Sequence, residues 1–278
     1  MSAQSGIVSA LDGRTRLYWE STGTGDPVLL IHGLGLSGGA WWRTVAALAR
    51  SMRVITFDHR GIGQSKSLTY AYTTEAMADD AVSILDDLSL NRVHVYGFSL
   101  GGMVAQQVAL RHPARVQSLV LGATHSGGRR AAFPDGEVMA FFRRRATMPL
   151  EEAAWASVPY NYGPRCRTDQ VDRIADDIAR RLANPFNERA YRAQLLAGSL
   201  HNCYRRLERI RTPTMVVHGA RDRIIPVANA HMIARLVPGA ELRVLEGAGH
   251  LYPTEEPAVD EAISEFFAAQ SRGRSSSD

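Results

Sequence analysis

Cysteine is nearly absent from this chain: Cys166 and Cys203 are the only two among 278 residues. That excludes a disulfide-rich scaffold, and two free thiols fit a reducing, bacterial cytoplasmic setting. Neither Cys-x-x-Cys nor His-Glu-x-x-His occurs, so no metal site is expected. Lysine is scarcer still, with Lys66 alone. No P-loop precedes it, which removes nucleotide hydrolysis of that type. No run approaches the roughly 20 apolar residues that span a bilayer, so no membrane partner is expected. The opening Met1–Gly6 has neither a basic region nor an apolar stretch, and no secretory leader is expected. Charge of one sign is also lacking. The net charge of +4 is small for this length, and the arginines are dispersed rather than interleaved with aromatics, so no nucleic-acid partner is expected.

What is present is a strand–turn–helix signature. Val93-His94-Val95-Tyr96 reads as a buried strand. It runs into Gly97-Phe98-Ser99-Leu100-Gly101, and a helical pattern begins at once with Met103, Val104 and Val108. This is the Gly-x-Ser-x-Gly nucleophile elbow, whose tight turn strains the central serine and aims its hydroxyl into a cleft. The hydroxyl needs a base, and the base needs an orienting acid. Of nine histidines, His250 is best placed, on the Gly-rich loop Glu246-Gly247-Ala248-Gly249 after the strand Leu242–Leu245. Asp222 follows another strand, Pro213–His218. An aspartate in a turn is commonly turn chemistry alone. The chain order Ser99, Asp222, His250 decides for a triad. The oxyanion requires backbone N–H donors. Leu100, directly after the serine, supplies one. Leu34, in His32-Gly33-Leu34-Gly35 after the strand Val28–Ile31, supplies the other. His32 is expected to tie that loop down.

These motifs, with Asp58-His59-Arg60-Gly61-Ile62-Gly63-Gln64-Ser65, resemble the α/β-hydrolase superfamily, in particular its cofactor-free branch of carboxylesterases, enol-lactonases and ring-cleavage hydrolases. The resemblance implies a mostly parallel eight-stranded sheet with helices on both faces and an inserted helical cap. It further implies a serine hydrolase that cleaves a small or medium ester or lactone, with no cofactor and no metal. Carbon–carbon bond hydrolysis, thioester hydrolysis and perhydrolysis would use the same triad. A ligand receptor on this fold is a further alternative. The elbow serine, where an aspartate would be needed, argues against epoxide or haloalkane hydrolysis.

A competing pattern overlaps the first loop. Gly33-Leu34-Gly35-Leu36-Ser37-Gly38 satisfies G-x-G-x-x-G after a strand, and Asp58 lies about 20 residues on, as in a dinucleotide-binding oxidoreductase. That reading leaves Ser99, Asp222 and His250 without a joint explanation.

The organisation along the chain is α/β. Ile7–Ala10 and Arg16–Glu20 flank Asp12-Gly13 as a hairpin. Strands Val28–Ile31, Arg53–Phe57, Val93–Tyr96 and Val116–Leu121 then alternate with helices near 42–50, 74–88 and 100–111, as in a doubly covered sheet. Residues 1–125 and 207–270 are assigned to the core and 126–206, helical without strands, to the cap. Residues 271–278, rich in Ser and Arg, are read as a disordered tail. Aromatics of the cap, including Phe142, Trp155, Tyr160 and Phe186, divide between packing and an apolar pocket over Ser99. Trp41 and His125 are the expected contributions to that pocket from outside the cap. A small-molecule partner is expected, and a homodimer is compatible with the sequence.

Overall fold

The computed structural model describes residues 3–184 and 187–275. Phe186 and the last three residues of the expected tail lie outside them.

Two strands form the N-terminal hairpin, β1 (Ala3–Ser9) and β2 (Thr15–Thr22), paired antiparallel. Asp12 fixes their turn by accepting hydrogen bonds from the Arg14 and Thr15 amides at 2.8 and 2.9 Å. There follow β3 (Asp26–Ile31), α1 (Trp42–Leu48), β4 (Met52–Phe57), the two-residue β5 (Lys66–Ser67), α2 (Thr74–Asp87), β6 (Val93–Phe98), α3 (Leu100–Arg111) and β7 (Val116–Gly122). Six helices come next: α4 (Gly136–Arg145), α5 (Leu150–Ala156), α6 (Val158–Asn161), α7 (Pro164–Asp169), α8 (Val171–Ala183) and α9 (Glu188–Leu200). The chain then returns through β8 (Thr214–Gly219), α10 (Ala228–Leu236), β9 (Glu241–Leu245), α11 (Tyr252–Glu255) and α12 (Ala258–Ser275).

The strands form one sheet in the order β1-β2-β4-β3-β6-β7-β8-β9, and β5 pairs with β2. From β4 to β9 every neighbour is parallel. The expected eight strands thus become nine through β5, which the loop after Asp58 lays against the foot of β2. Continuous apolar runs arise because both faces are covered. On β3, Leu29 and Ile31 point toward α2, α3 and α10, where Met77, Val104 and Ile233 meet them in one core. Val28 and Leu30 point the other way, into a core with Leu48, Tyr252, Ile263 and Phe267 from α1, α11 and α12.

Between β7 and β8 the described residues contain no strand, only an isolated bridge from Gly127 to Asn202. The Cys203 amide also donates to the Ser126 carbonyl at 2.9 Å, so the two ends of the helical stretch meet at its base. Its helices follow ordinary capping chemistry. Asp135 accepts from the Val138 amide at the start of α4, and Asn187 accepts from Ala190 at the start of α9.

The disordered-tail reading fails over residues 271–275, which continue α12. Composition suggested solvent exposure, but the helix is already nucleated upstream and Ser271 has buried partners. Its hydroxyl bonds His94 Nε2 on β6 at 3.1 Å and accepts from Gln117 on β7 at 3.2 Å. Among the described residues no helix is long and apolar enough to cross a membrane.

Candidate active site

The tight strand-to-helix turn between β6 and α3 holds Ser99 at φ 56° and ψ −119°, a left-handed backbone that a serine adopts only under constraint. The constraint is visible on every side. The Ser99 amide donates to the Gly122 carbonyl at 2.8 Å, and its carbonyl accepts from Thr124 Oγ1 at 2.8 Å and from the Gly102 amide at 2.9 Å. The flanking glycines permit the close passage. A Cβ on Gly101 would lie 1.9 Å from the Ile31 carbonyl, and one on Gly97 would lie 2.3 Å from the Gly101 carbonyl.

The loop after β9 brings His250 to this turn. Its Nε2 lies 3.1 Å from Ser99 Oγ, and its Nδ1 lies 2.8 Å from Asp222 Oδ2. The carboxylate can only accept from Nδ1–H, which leaves Nε2 free to accept from the serine hydroxyl. Asp222, on the loop after β8, is buried. Its Oδ1 accepts from the Ile224 and Ile225 amides, both at 2.8 Å. Burial pushes this carboxyl up, but the His250 imidazole and a hydrogen bond from His218 outweigh it and hold the group at about 2. His218 is a partner that the sequence reading missed. Its Nε2 donates to the Ile225 carbonyl at 2.7 Å and sits 3.1 Å from Asp222 Oδ2. The only sequence signal was its place four residues before Asp222, at the end of a strand.

Of the expected oxyanion donors, Leu100 directly follows Ser99, and Leu34 follows Gly33, which packs beside Ser99. Among the described residues neither the Leu34 nor the Leu100 amide has a hydrogen-bond acceptor. Gly33 is packed so closely that a Cβ there would lie 3.2 Å from Ser99 Cβ. His32 ties the loop down: its Nε2 bonds the Phe57 carbonyl at 2.9 Å and its Nδ1 faces the Gly33 carbonyl at 3.1 Å. Burial lowers the pKa of this imidazole. Asp58, the acidic residue of the competing dinucleotide pattern, is engaged by backbone amides on both oxygens. Its two oxygens accept from the Gly38 amide at 2.7 Å and the Gln64 amide at 2.8 Å, clasping the two glycine loops together.

The expected pocket residues are dispersed. A 3-10 turn at Gly38–Trp41 directs the Trp41 indole inward, 4.8 Å from Tyr96 and 6.1 Å from Phe98 by ring centres. Trp155 is 44% exposed on α5, whose alanines, not its indole, face inward. Phe142 and Tyr160 pack with Phe141 and Val138 against Ile224, on the loop carrying Asp222. His125 bonds the Gly127 amide through Nδ1 at 3.0 Å beside Phe133, and burial pushes its pKa down to about 4. A cleft of about 340 Å³ lies elsewhere, lined by Tyr18, Glu20, Asp58 and Gln64 among others, and contains no member of the Ser99 cluster. Among the described residues no three His, Cys, Asp or Glu side chains group as a metal site would require.

Glu255 was also missed as a site residue. It is buried, with Oε1 accepting from the Gly249 amide and Oε2 from the Gly163 amide, both at 2.8 Å. It thus joins the loop bearing His250 to the turn between α6 and α7. Burial pushes its carboxyl up to about 7, against the pull of those two amides.

Fold, elbow and the Ser99–His250–Asp222 chain all describe one class, and residues 26–257 match the α/β hydrolase fold family. The chain belongs to that family. It is 33% identical over 270 residues to an uncharacterized protein of Mycobacterium tuberculosis, covering 91% of this chain and 78% of the relative. Among solved structures it is similar to a thermophilic esterase from Thermogutta terrifontis (TM-score 0.80, 29% identity, 96% of this chain and 99% of that one). It is also similar to Est816, described as an N-acyl homoserine lactone degrading enzyme (TM-score 0.78, 30% identity, 94% and 100% coverage).

Proposed function

We propose that this hydrolase-family chain is a serine hydrolase of small or medium carboxylic esters or lactones, acting through an acyl-enzyme on Ser99. The observation that carries the reading is the unbroken hydrogen-bonded path from Ser99 Oγ through His250 to Asp222. The esterase and lactone-degrading neighbours support the substrate class.

In this scheme Ser99 Oγ bonds the substrate carbonyl carbon as its proton passes to His250 Nε2. Asp222 stabilises the resulting imidazolium and holds its orientation. The carbonyl oxygen, now anionic, receives the Leu34 and Leu100 N–H groups, each worth about 3 kcal/mol in the transition state. Collapse breaks the carbon–oxygen bond to the leaving alkoxide, which takes the proton from His250. Water then attacks the acyl carbon and yields a proton to His250. The acyl–Oγ bond breaks, the acid departs and Ser99 regains its proton. No step calls on a metal or an organic cofactor.

Ser99→Ala is expected to abolish p-nitrophenyl ester turnover and labelling by a fluorophosphonate, while circular dichroism and thermal unfolding stay those of the parent. Undiminished turnover in that variant rejects the scheme.

A further inference from the structure

We propose that Gln194 of α9 is a positioning residue for the oxyanion loop, so that the helical stretch between β7 and β8 sets the transition-state geometry as well as covering the sheet. The inference rests on the assignment of Leu34 and Leu100 as oxyanion donors. Gln194 is fully buried, and its Oε1 accepts from the Gly35 amide at 2.9 Å across 159 positions of sequence. Leu34 is therefore bracketed. Gly33 on one side is packed against Ser99 Cβ, and Gly35 on the other is tied to α9. Two fixed neighbours leave the intervening N–H little freedom to turn from the reacting carbonyl.

The same helix reaches the side chain of Leu100, the residue expected to carry the second donor. Gly198, one turn beyond Gln194, is so near α3 that a Cβ there would sit 3.1 Å from Leu100 Cδ1. Ala190, Ala193 and Ala197 give α9 a close-packing face toward this region. One helix thus meets both the loop of Leu34 and the side chain of Leu100.

A further observation separates positioning from ordinary packing. The Gln194 Nε2 is buried without a hydrogen-bond partner among the described residues. A stranded buried donor is unfavourable for stability. Gly35, in contrast, is only half-buried. Packing alone would favour an apolar side chain of the same length at this position. What the glutamine adds is the bond to Gly35.

The experiment compares Gln194→Met, length-matched and without hydrogen bonds, with Gln194→Asn, too short to reach Gly35, and Gln194→Glu, which keeps an acceptor oxygen in either protonation state. The expected result is a fall in kcat of about 10- to 100-fold in Q194M and Q194N, with KM changed far less and a melting temperature equal to or above the parent's in Q194M. Binding of phenylboronic acid, whose adduct at Ser99 is tetrahedral, should weaken by the same factor as kcat/KM. Q194E should recover most of the rate. Parent-like kcat in folded Q194M and Q194N overturns the proposal, and so does an equal loss in Q194E. Ser99→Ala tests the hydrolase reading independently. If Ser99→Ala is inactive while Gln194 proves indifferent, the positioning role fails and the mechanism stands.

Discussion

The Asp222 carboxylate accepts from two amides on one oxygen and faces two imidazoles with the other. Its folded pKa, about 2, lies below the ordinary carboxylate value of 3.8. The stabilisation is fully present above pH 3.8 and is lost as pH falls through that value toward 2. Acid unfolding of the parent should therefore steepen between pH 4 and 2. In Asp222→Asn that part of the acid transition should flatten, as monitored by tryptophan fluorescence. The same variant should lose about 10⁴-fold in kcat at neutral pH, because an amide no longer fixes the imidazole tautomer. An unchanged rate would separate Asp222 from the chemistry.

Ser99, Asp222 and His250 were legible in the sequence because each sits in a strand-end motif whose order is itself informative. His218, Glu255 and Gln194 were not, because each acts on backbone groups or a carboxylate brought near only by folding. The placement of the expected aromatics was not legible either. Composition states that Trp41 and Trp155 are large and apolar, but not which way a short turn or helix points them.

Between elements, buried polar pairs hold the layers in register. Arg60, in the loop after β4, forms two hydrogen bonds to Asp80 on α2 at 2.6 and 2.7 Å, both residues being buried. Asp80→Ala removes both bonds from a buried guanidinium, which keeps only its 3.4 Å ion pair with Asp12, and should cost about 3 kcal/mol in urea unfolding. Asp260 on α12 has the opposite character. It accepts from Thr44 on α1 at 3.1 Å, and burial pushes its carboxyl from 3.8 up to about 7. A raised carboxyl disfavours the fold increasingly as pH climbs from 3.8 to 7, and fully above that. Asp260→Asn keeps the acceptor and removes the charge. It should raise Tm by a few degrees at pH 8 and give no gain below pH 4, measured by calorimetry. Helix and strand placement was legible wherever apolar periodicity and caps agreed. Strand β5 was not, since two residues carry no period.

For the whole molecule, the sequence motifs implied the parallel sheet with helices on both faces, and the structure has it. Only the end of α12, residues 271–275, was read as tail, because low hydrophobicity in a terminal segment resembles solvated coil. A mechanism built only from side chains and amides predicts that dialysis against EDTA leaves ester turnover unchanged. A loss restored by zinc would point to an essential ion.

The contact between Ser271 and His94 lies near the start of β6, whereas Ser99 follows its far end. Five residues of extended chain separate the two positions by about 16 Å. A tether joined after α12 would consequently leave from the rim of the sheet away from the reactive serine. Molecules anchored to a bead through that end would present the edge of the sheet that bears Ser99 outward, toward arriving solute.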